Sequence, residues 1–266
     1  FEEHIEKHLN SVGYSSTHFS EYDRNLCLIR DHVIDFIKTT QPTKWDRLNE
    51  IYDIDTENKV LSRISSEISK RGIIDVLRNG VKDRGEYVTL CHFEPKSDLN
   101  PDHLKLYQAN QFTVVRQLHY SNKNENSIDM GLFLNGLPIV TMELKNQLTG
   151  QNVKHSENQY RNDRDYKEPL LQFKRCMVHF CVDNNKVSMT TRLSGSKTFF
   201  LPYNQDLENP SVENGYRTKY LWEQILTPTS LLDIIESFVH LSKEKEFFFN
   251  DKTQKIDTKI KEVLIF

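Results

Sequence analysis

The sequence predicts an α/β (α+β) protein with a mixed β-sheet flanked by helices, and three observations support this fold class. Apolar residues recur at helical spacing before residue 85. Segments typical of strands follow, and two of them flank Asn135-Gly136, a strong hairpin signal. An amphipathic helical segment comes later, at residues 230–241. Helices before and after the strands can cover both faces of one sheet.

Residues 1–85 are predicted to be the N-terminal helical part of the domain. In each predicted helix the apolar residues recur every three or four positions. The predicted helices are residues 1–12, ended by Gly13; residues 24–38, closed by Pro42; and residues 58–78, where Gly72 leaves the end open.

Residues 86–242 are predicted to be the core of the domain with a C-terminal extension. Its strands are apolar runs bounded by turn-forming residues. The predicted strands are residues 87–93, 111–120, 127–134, 137–144, 175–182 and 186–192, and residues 152–164 are helix-compatible. The mixed-charge residues 243–266 are predicted to be a linker.

The composition excludes several classes of protein. Of 266 residues, 37% are hydrophobic, which is enough apolar material for a core and excludes general disorder. The net charge of −3 disfavours a protein that coats nucleic acid by charge alone. No apolar run approaches the length of a membrane span, and the N-terminus lacks a signal peptide. We therefore expect a cytoplasmic protein without a membrane partner. The first residue is Phe1 and not Met, so we also expect a fragment of a longer chain.

Cysteine spacing offers no metal site. The closest pair has the spacing C-x4-C inside an apolar run, and no second pair complements it. We predict that all four cysteines are reduced core thiols: Cys27, Cys91, Cys176 and Cys181.

One group of charged residues stands at the end of the predicted hairpin. Asp129 opens one strand, and Glu143 and Lys145 end the next. The last two are two positions apart, so they share a face of a strand. Charges at the end of an apolar hairpin must pair, bind a cation or contact water. Two carboxylates that hold Mg²⁺ beside a lysine suit metal-assisted phosphodiester hydrolysis. The alternative is a solvated strand end with a surface ion pair.

If Asp129 and Glu143 bind the same metal ion, both side chains must point to the same face of the hairpin. In a plain two-residue loop, Leu134 would pair with Leu137, and Glu143 would point away from Asp129. The sequence therefore predicts a β-bulge or a loop of odd length somewhere in this hairpin. A three-residue loop over residues 134–136 is the specific form that we expect.

The wider sequence around these residues resembles a known family. Asp129, thirteen residues and then Glu143-Leu144-Lys145 resemble the PD-(D/E)XK nuclease signature. The surrounding segments are similar to the N-terminal nuclease region of the restriction subunit of type I restriction-modification enzymes. These segments are residues 127–138, 142–146, 159–165 and 170–180.

The resemblance implies a restriction-endonuclease-like fold and a role for individual residues. By this resemblance Asp129 and Glu143 are Mg²⁺ ligands and Lys145 is the catalytic lysine. Gln159 matches a catalytic glutamine on the following helix, although position 163, where the family pattern has tyrosine, is Asp. The first helix offers Glu3 or Glu2 as a further metal ligand; the alternative is an acid that stabilises the helix start.

Basic residues lie just after the motif. Lys154, Arg161 and Arg164 could contact DNA phosphates, which fix position without reading sequence. The alternative is a mixed-charge, solvated helix face.

The resulting interpretation is an enzyme, the endonuclease part of a type I site-specific deoxyribonuclease. The resemblance implies double-stranded DNA as substrate, methylation and specificity subunits as partners, and ATP used by a motor that this sequence lacks. One alternative is a catalytically silent domain of the same fold that docks subunits or holds DNA. Another is an independent structure-specific nuclease.

Overall fold

A seven-stranded mixed sheet forms the centre of the computed structural model, which describes every residue except 98–99, 147–149, 214 and 251–254. The strands along the chain are β1 (Tyr14–Ser16), β2 (Tyr22–Asp23), β3 (Leu28–Ile29), β4 (Val81–Asp83), β5 (Glu86–Val88), β6 (Phe112–His119), β7 (Ser127–Leu134), β8 (Leu137–Leu144), β9 (Val178–Val182), β10 (Val187–Thr190), β11 (Leu201–Pro202), β12 (His240–Asn250) and β13 (Lys255–Ile265). In space the central sheet runs β1-β6-β7-β8-β9-β10-β11. The β1–β6 and β8–β9 pairs are parallel and the others antiparallel.

Helices and short pairs of strands surround this sheet. The α-helices are α1 (Glu2–Ser11), α2 (Arg30–Thr40), α3 (Pro42–Tyr52), α4 (Thr56–Arg71), α5 (Ile73–Asn79), α6 (Pro101–Gln108), α7 (Val153–Asn158) and α8 (Pro228–Asp233). Single π-helical turns follow α7 and α8, at Gln159–Asp163 and Ile234–Phe238. The predicted class, helices around a mixed sheet, is confirmed. No helix in the described ranges is both long and apolar enough to span a bilayer.

The buried apolar side chains form a large and a small cluster. The large one joins α1, α2, α4 and α5 to the sheet. The small one contains Tyr160, after α7, and Cys181 of β9. All four cysteines are buried free thiols, as predicted.

Several helices begin or end at residues other than those predicted. The second helix begins at Arg30 and not at residue 24, because the Asp23 carboxylate accepts the backbone N–H groups of Asn25 and Leu26 in a turn. Pro42 is the first residue of α3 and does not end the helix before it. Proline is tolerated at the first helical position because the N–H that it lacks would have no helical partner there. The predicted third helix is two helices, which Gly72 separates with a φ of +93°.

Only the start of the predicted strand at residues 87–93 is a strand. Beyond Val88, the side-chain amide of Gln41 accepts from the N–H of Thr89 and donates to its carbonyl, at 2.8 Å each. One side chain therefore satisfies the backbone groups that a neighbouring strand would have paired. Helix α6 was not predicted at all.

The N-terminal and C-terminal segments contribute strands as well. Strand β1, from the region predicted to be helical, joins the central sheet beside β6. Strands β12 and β13 pair antiparallel, and the linker role of residues 243–266 stays a prediction. The domain boundaries after residues 85 and 242 stay predictions.

The β7–β8 hairpin contains the predicted irregularity. Asn135 and Gly136 form a two-residue turn with φ of +51° and +78°, so the three-residue loop is wrong. Leu134 pairs with Leu137, but the register shifts between Leu132 and Phe133, where β8 carries one extra residue. The predicted β-bulge is confirmed, two residues into the strands rather than at the loop.

We predict that Gly136→Ala destabilises the fold far more than its conformation alone requires. A Cβ at this position would lie 2.5 Å from the carbonyl oxygen of Ile29 and 2.9 Å from the backbone nitrogen of Val33. We expect a loss of about 3 kcal/mol in the free energy of unfolding, measured by urea denaturation.

Gly85→Ala is the matched control. Gly85 also has a positive φ, +97°, but a Cβ there would meet nothing within 4 Å. It should lose only about 1 kcal/mol, the ordinary penalty for a left-handed residue. Equal losses in the two variants would show that close approach of α2 to the turn is unimportant.

Candidate active site

The bulge determines which side chains meet at the far end of the hairpin. Beyond it, Met130 pairs with Met142 and Gly131 with Thr141. One more step in this register brings Asp129 opposite Glu143, and paired residues of neighbouring strands point to the same face. On its other side β8 pairs with β9, where Glu143 lies beside Cys181.

Asp129 is bound at the end of β8 by backbone and side chain. Its Oδ2 accepts the N–H of Leu144 at 2.7 Å and lies 3.6 Å from the Nζ of Lys145. The side chains of Asp129 and Lys145 are 14% and 11% exposed, so both reach the surface only narrowly. Asp129 and Lys145 thus form a partly buried pair with access to solvent.

Glu143 lies deeper than Asp129, and the pKa of its carboxyl group is strongly raised. It is completely buried, and its Oε1 accepts from the Nε of Arg164 at 2.8 Å. Its Oε2 is buried and has no hydrogen-bond partner among the described residues. Burial, and then the negative charge of Asp129, raise the pKa of Glu143 to about 8, although Arg164 and Lys145 lower it. This carboxylate therefore needs a further positive group to stay ionised at neutral pH.

Arg164 reaches Glu143 from the end of the π-helical turn. Its side chain is 11% exposed. Its backbone N–H donates to the carbonyl of Gln159, and the chain then leaves the helix in an extended conformation. Although burial opposes it, the charge of Glu143 raises the pKa of Arg164. The predicted contact of Arg164 with DNA phosphates stays a prediction, and the structure pairs this residue with Glu143 inside the site.

A buried polar network lies under the site. Thr141, two residues before Glu143, has its Oγ1 2.8 Å from the phenol of Tyr160 and 2.7 Å from the Nδ1 of His179. All three residues are essentially inaccessible to solvent. Burial lowers the pKa of His179 to about 3, so the imidazole is neutral and acts as a hydrogen-bond partner in the core. The sequence signal for this network was a histidine inside an apolar strand, which requires a partner when buried.

The other predicted site residues fall into two groups. Gln159 lies at the start of the π-helical turn, and its Oε1 is buried without a hydrogen-bond partner among the described residues. Arg161 and Lys154 both pair with the buried carboxylate of Glu157, at 3.0 and 3.2 Å. Of these two, only Lys154 is well exposed, at 74%. The predicted phosphate contacts therefore stay predictions.

A third metal ligand from the first helix stays a prediction. Glu3 is exposed on α1. The neighbouring Glu2 instead accepts from the side-chain amide of Gln117 at 3.0 and 3.1 Å. In the described part of the chain, no third carboxylate, imidazole or thiol joins Asp129 and Glu143 in a group that could hold a metal ion.

Two carboxylates nevertheless fit a magnesium ion. Mg²⁺ keeps several of its waters and is commonly held by one or two carboxylates together with substrate phosphates. The Oε2 of Glu143 is a buried oxygen without a hydrogen-bond partner among the described residues. A divalent cation between Glu143 and Asp129 would satisfy this atom and relieve the repulsion between the two carboxylates.

Comparisons with known proteins identify a family for this chain. Residues 2–198 match the family model described as type I restriction enzyme R protein N terminus. Two relatives come from Methanocaldococcus jannaschii and are named as type I restriction enzyme endonuclease subunits. MjaIXP is 26% identical over 94% of this chain, and MjaVIIIP is 21% identical over 91%. The chain spans only 25% and 22% of the length of these two relatives.

We predict a specific pH dependence from Glu143. Its folded pKa, about 8, lies above the value of about 4.3 for an unfolded glutamate, so its contribution to stability falls as the pH rises between these two values. Relative to Glu143→Gln, which is always neutral, the wild type should lose at most about 1.4 kcal/mol per pH unit in this window.

The measurement is urea unfolding of both proteins from pH 4.5 to 9 with a chelator that removes divalent ions. The difference between the two unfolding free energies should become constant above the folded pKa. Two parallel curves across the whole range would show that Glu143 titrates as an ordinary solvated carboxylate.

Proposed function

The chain belongs to the family of type I restriction enzyme R protein N termini, and we propose that it is the Mg²⁺-dependent nuclease domain of such an enzyme. The observation that carries the proposal is the convergence of Asp129, Glu143 and Lys145 at one end of the hairpin. Three charged groups gathered in a largely buried place are unfavourable for stability alone, which supports a role in chemistry.

Each of the three residues has a role that its surroundings support. Asp129 and Glu143 would hold the Mg²⁺ ion, which supplies polarisation of the scissile phosphate and a bound water of lowered pKa. Lys145 lies beside Asp129 and reaches the surface. From there its ammonium group can donate to a phosphate oxygen or orient the attacking water.

The substrate we propose is double-stranded DNA, cut without sequence preference by this domain. A chain of net charge −3 cannot hold DNA by charge alone. Binding and specificity would therefore come from the complex, with methylation and specificity subunits and an ATP-driven motor. Since the chain spans about a quarter of its relatives, these activities belong to the proposed whole enzyme, which we place in the cytoplasm.

One observation favours a second candidate function. Arg164 already pairs with Glu143, so the site could be an ion-pair network in a catalytically silent domain that docks subunits. The unpartnered Oε2 of Glu143 supports the nuclease over this alternative, because a purely structural network gains nothing from an unsatisfied buried oxygen.

We predict that Lys145→Ala abolishes cleavage while metal binding remains. The variant loses a positive group near the phosphate but retains both carboxylates, so cleavage by the complete ATP-driven enzyme should fall by roughly 10²-fold or more. Glu143→Ala should lose cleavage and metal binding together. Plasmid nicking and isothermal titration with Mg²⁺ measure the two properties.

Lys105→Ala serves as the charge-matched control. It removes the same charge from an exposed position on α6, whose partner is Asp102. Its cleavage rate should stay close to that of the wild type. If Lys145→Ala also cuts at the wild-type rate, the nuclease site lies elsewhere.

We also predict that Mg²⁺ stabilises the folded chain. An ion that binds only the native state adds RT ln(1+[L]/Kd), which is about 1.4 kcal/mol at ten times the dissociation constant. Thermal unfolding with and without Mg²⁺ should show this increase in Tm. The double variant Asp129→Asn/Glu143→Gln should show none; an equal increase in both proteins would contradict a two-carboxylate site.

A further inference from the structure

We propose that Arg164 is a positioning residue, which fixes one oxygen of Glu143 so that the other faces the divalent cation. The inference rests on the proposed function, because it assigns a residue to the metal site proposed there. It also gives Arg164 a different task from the phosphate contact that the sequence suggested.

The two oxygens of Glu143 have opposite surroundings. Oε1 accepts a charged hydrogen bond of 2.8 Å from Arg164, whereas Oε2 is buried and has no partner among the described residues. A charged hydrogen bond of this kind restrains the carboxylate to one orientation. The side chain is thus held by one oxygen and offers the other.

Arg164 is itself held where it can do this. A single π-helical turn precedes it, and its backbone N–H closes that turn on Gln159 at 3.0 Å. Single π-turns inside helices are frequent at functional sites, because the wider turn re-aims the side chains around it.

The opposite role is also physically reasonable and gives the opposite sign. A guanidinium could occupy the site in place of the cation, and its removal would then strengthen metal binding. The geometry points to positioning, since Arg164 engages only Oε1 and leaves Oε2 unpartnered. Partners that orient metal-bound carboxylates typically change metal affinity by about 10- to 100-fold when they are removed.

The experiment measures the affinity of the chain for Mg²⁺ and Mn²⁺ by isothermal titration. Arg164→Met removes the donor and should weaken binding by about 10- to 100-fold. Arg164→Lys restores a charged donor and should stay within about threefold of the wild type. If Arg164→Met does not fold by circular dichroism, the neutral Arg164→Gln replaces it, with an expected loss of about tenfold.

Arg161→Met is the matched control. Arg161 lies on the same π-helical turn and pairs with another buried carboxylate, that of Glu157, at 3.0 Å. Both methionine variants should lower Tm, because each leaves a buried carboxylate without its arginine. Only the Arg164 variant should lose metal affinity.

The outcomes separate the two proposals. Unchanged or tighter metal binding in Arg164→Met, with normal binding in the wild type, overturns the positioning role and leaves the proposed function intact. A failure of Arg164→Lys to restore affinity also overturns it. If the wild type binds no more metal than Glu143→Gln, the metal site itself is refuted, and the proposed function fails with this inference.

Discussion

One extra residue in β8 determines the arrangement of charged groups at the end of the central sheet. Side chains alternate along a strand, so a regular hairpin around Asn135-Gly136 would turn Asp129 and Glu143 to opposite faces. The bulge shifts the register by one and turns both to the same face. The ion pair of Asp129 with Lys145 forms on this shared face.

The depth of Glu143 sets the electrostatics of the site. A carboxylate with no exposed surface between two neighbouring strands is unfavourable as an anion, and the nearby Asp129 makes it more so. Arg164 compensates for part of this penalty, and the other oxygen has no hydrogen-bond partner in the part of the chain that the structure describes. The same features that make the site a poor source of stability make it a suitable place for a divalent cation.

The basic residues that follow Lys145 have two different roles: one belongs to the site, and the others stabilise the helix beside it. Arg164 contacts Glu143 directly, whereas Arg161 and Lys154 neutralise Glu157 beside β10, whose Ser188 also donates to it. Below them Tyr160 and His179 are joined through Thr141. Helix α7 and its π-helical turn are therefore attached to the sheet through the charges that pair with Glu157. Arg164, at the end of the turn, completes the site.

Much of this protein could be predicted from the sequence, because the decisive signals were local. The helix α1 and the strands β7 and β8 followed from periodicity and the Asn-Gly turn, and the bulge followed from the requirement that two carboxylates share a face. Other features depended on contacts between distant residues. The Gln41 side chain pairs the backbone of Thr89, and β1 finds its partner β6 nearly a hundred residues away. The contact between Arg164 and Glu143 also depends on residues that are distant in the sequence. The sequence shows that Arg164 is basic, but only the path of the chain out of the π-turn brings it to a buried carboxylate 21 residues earlier.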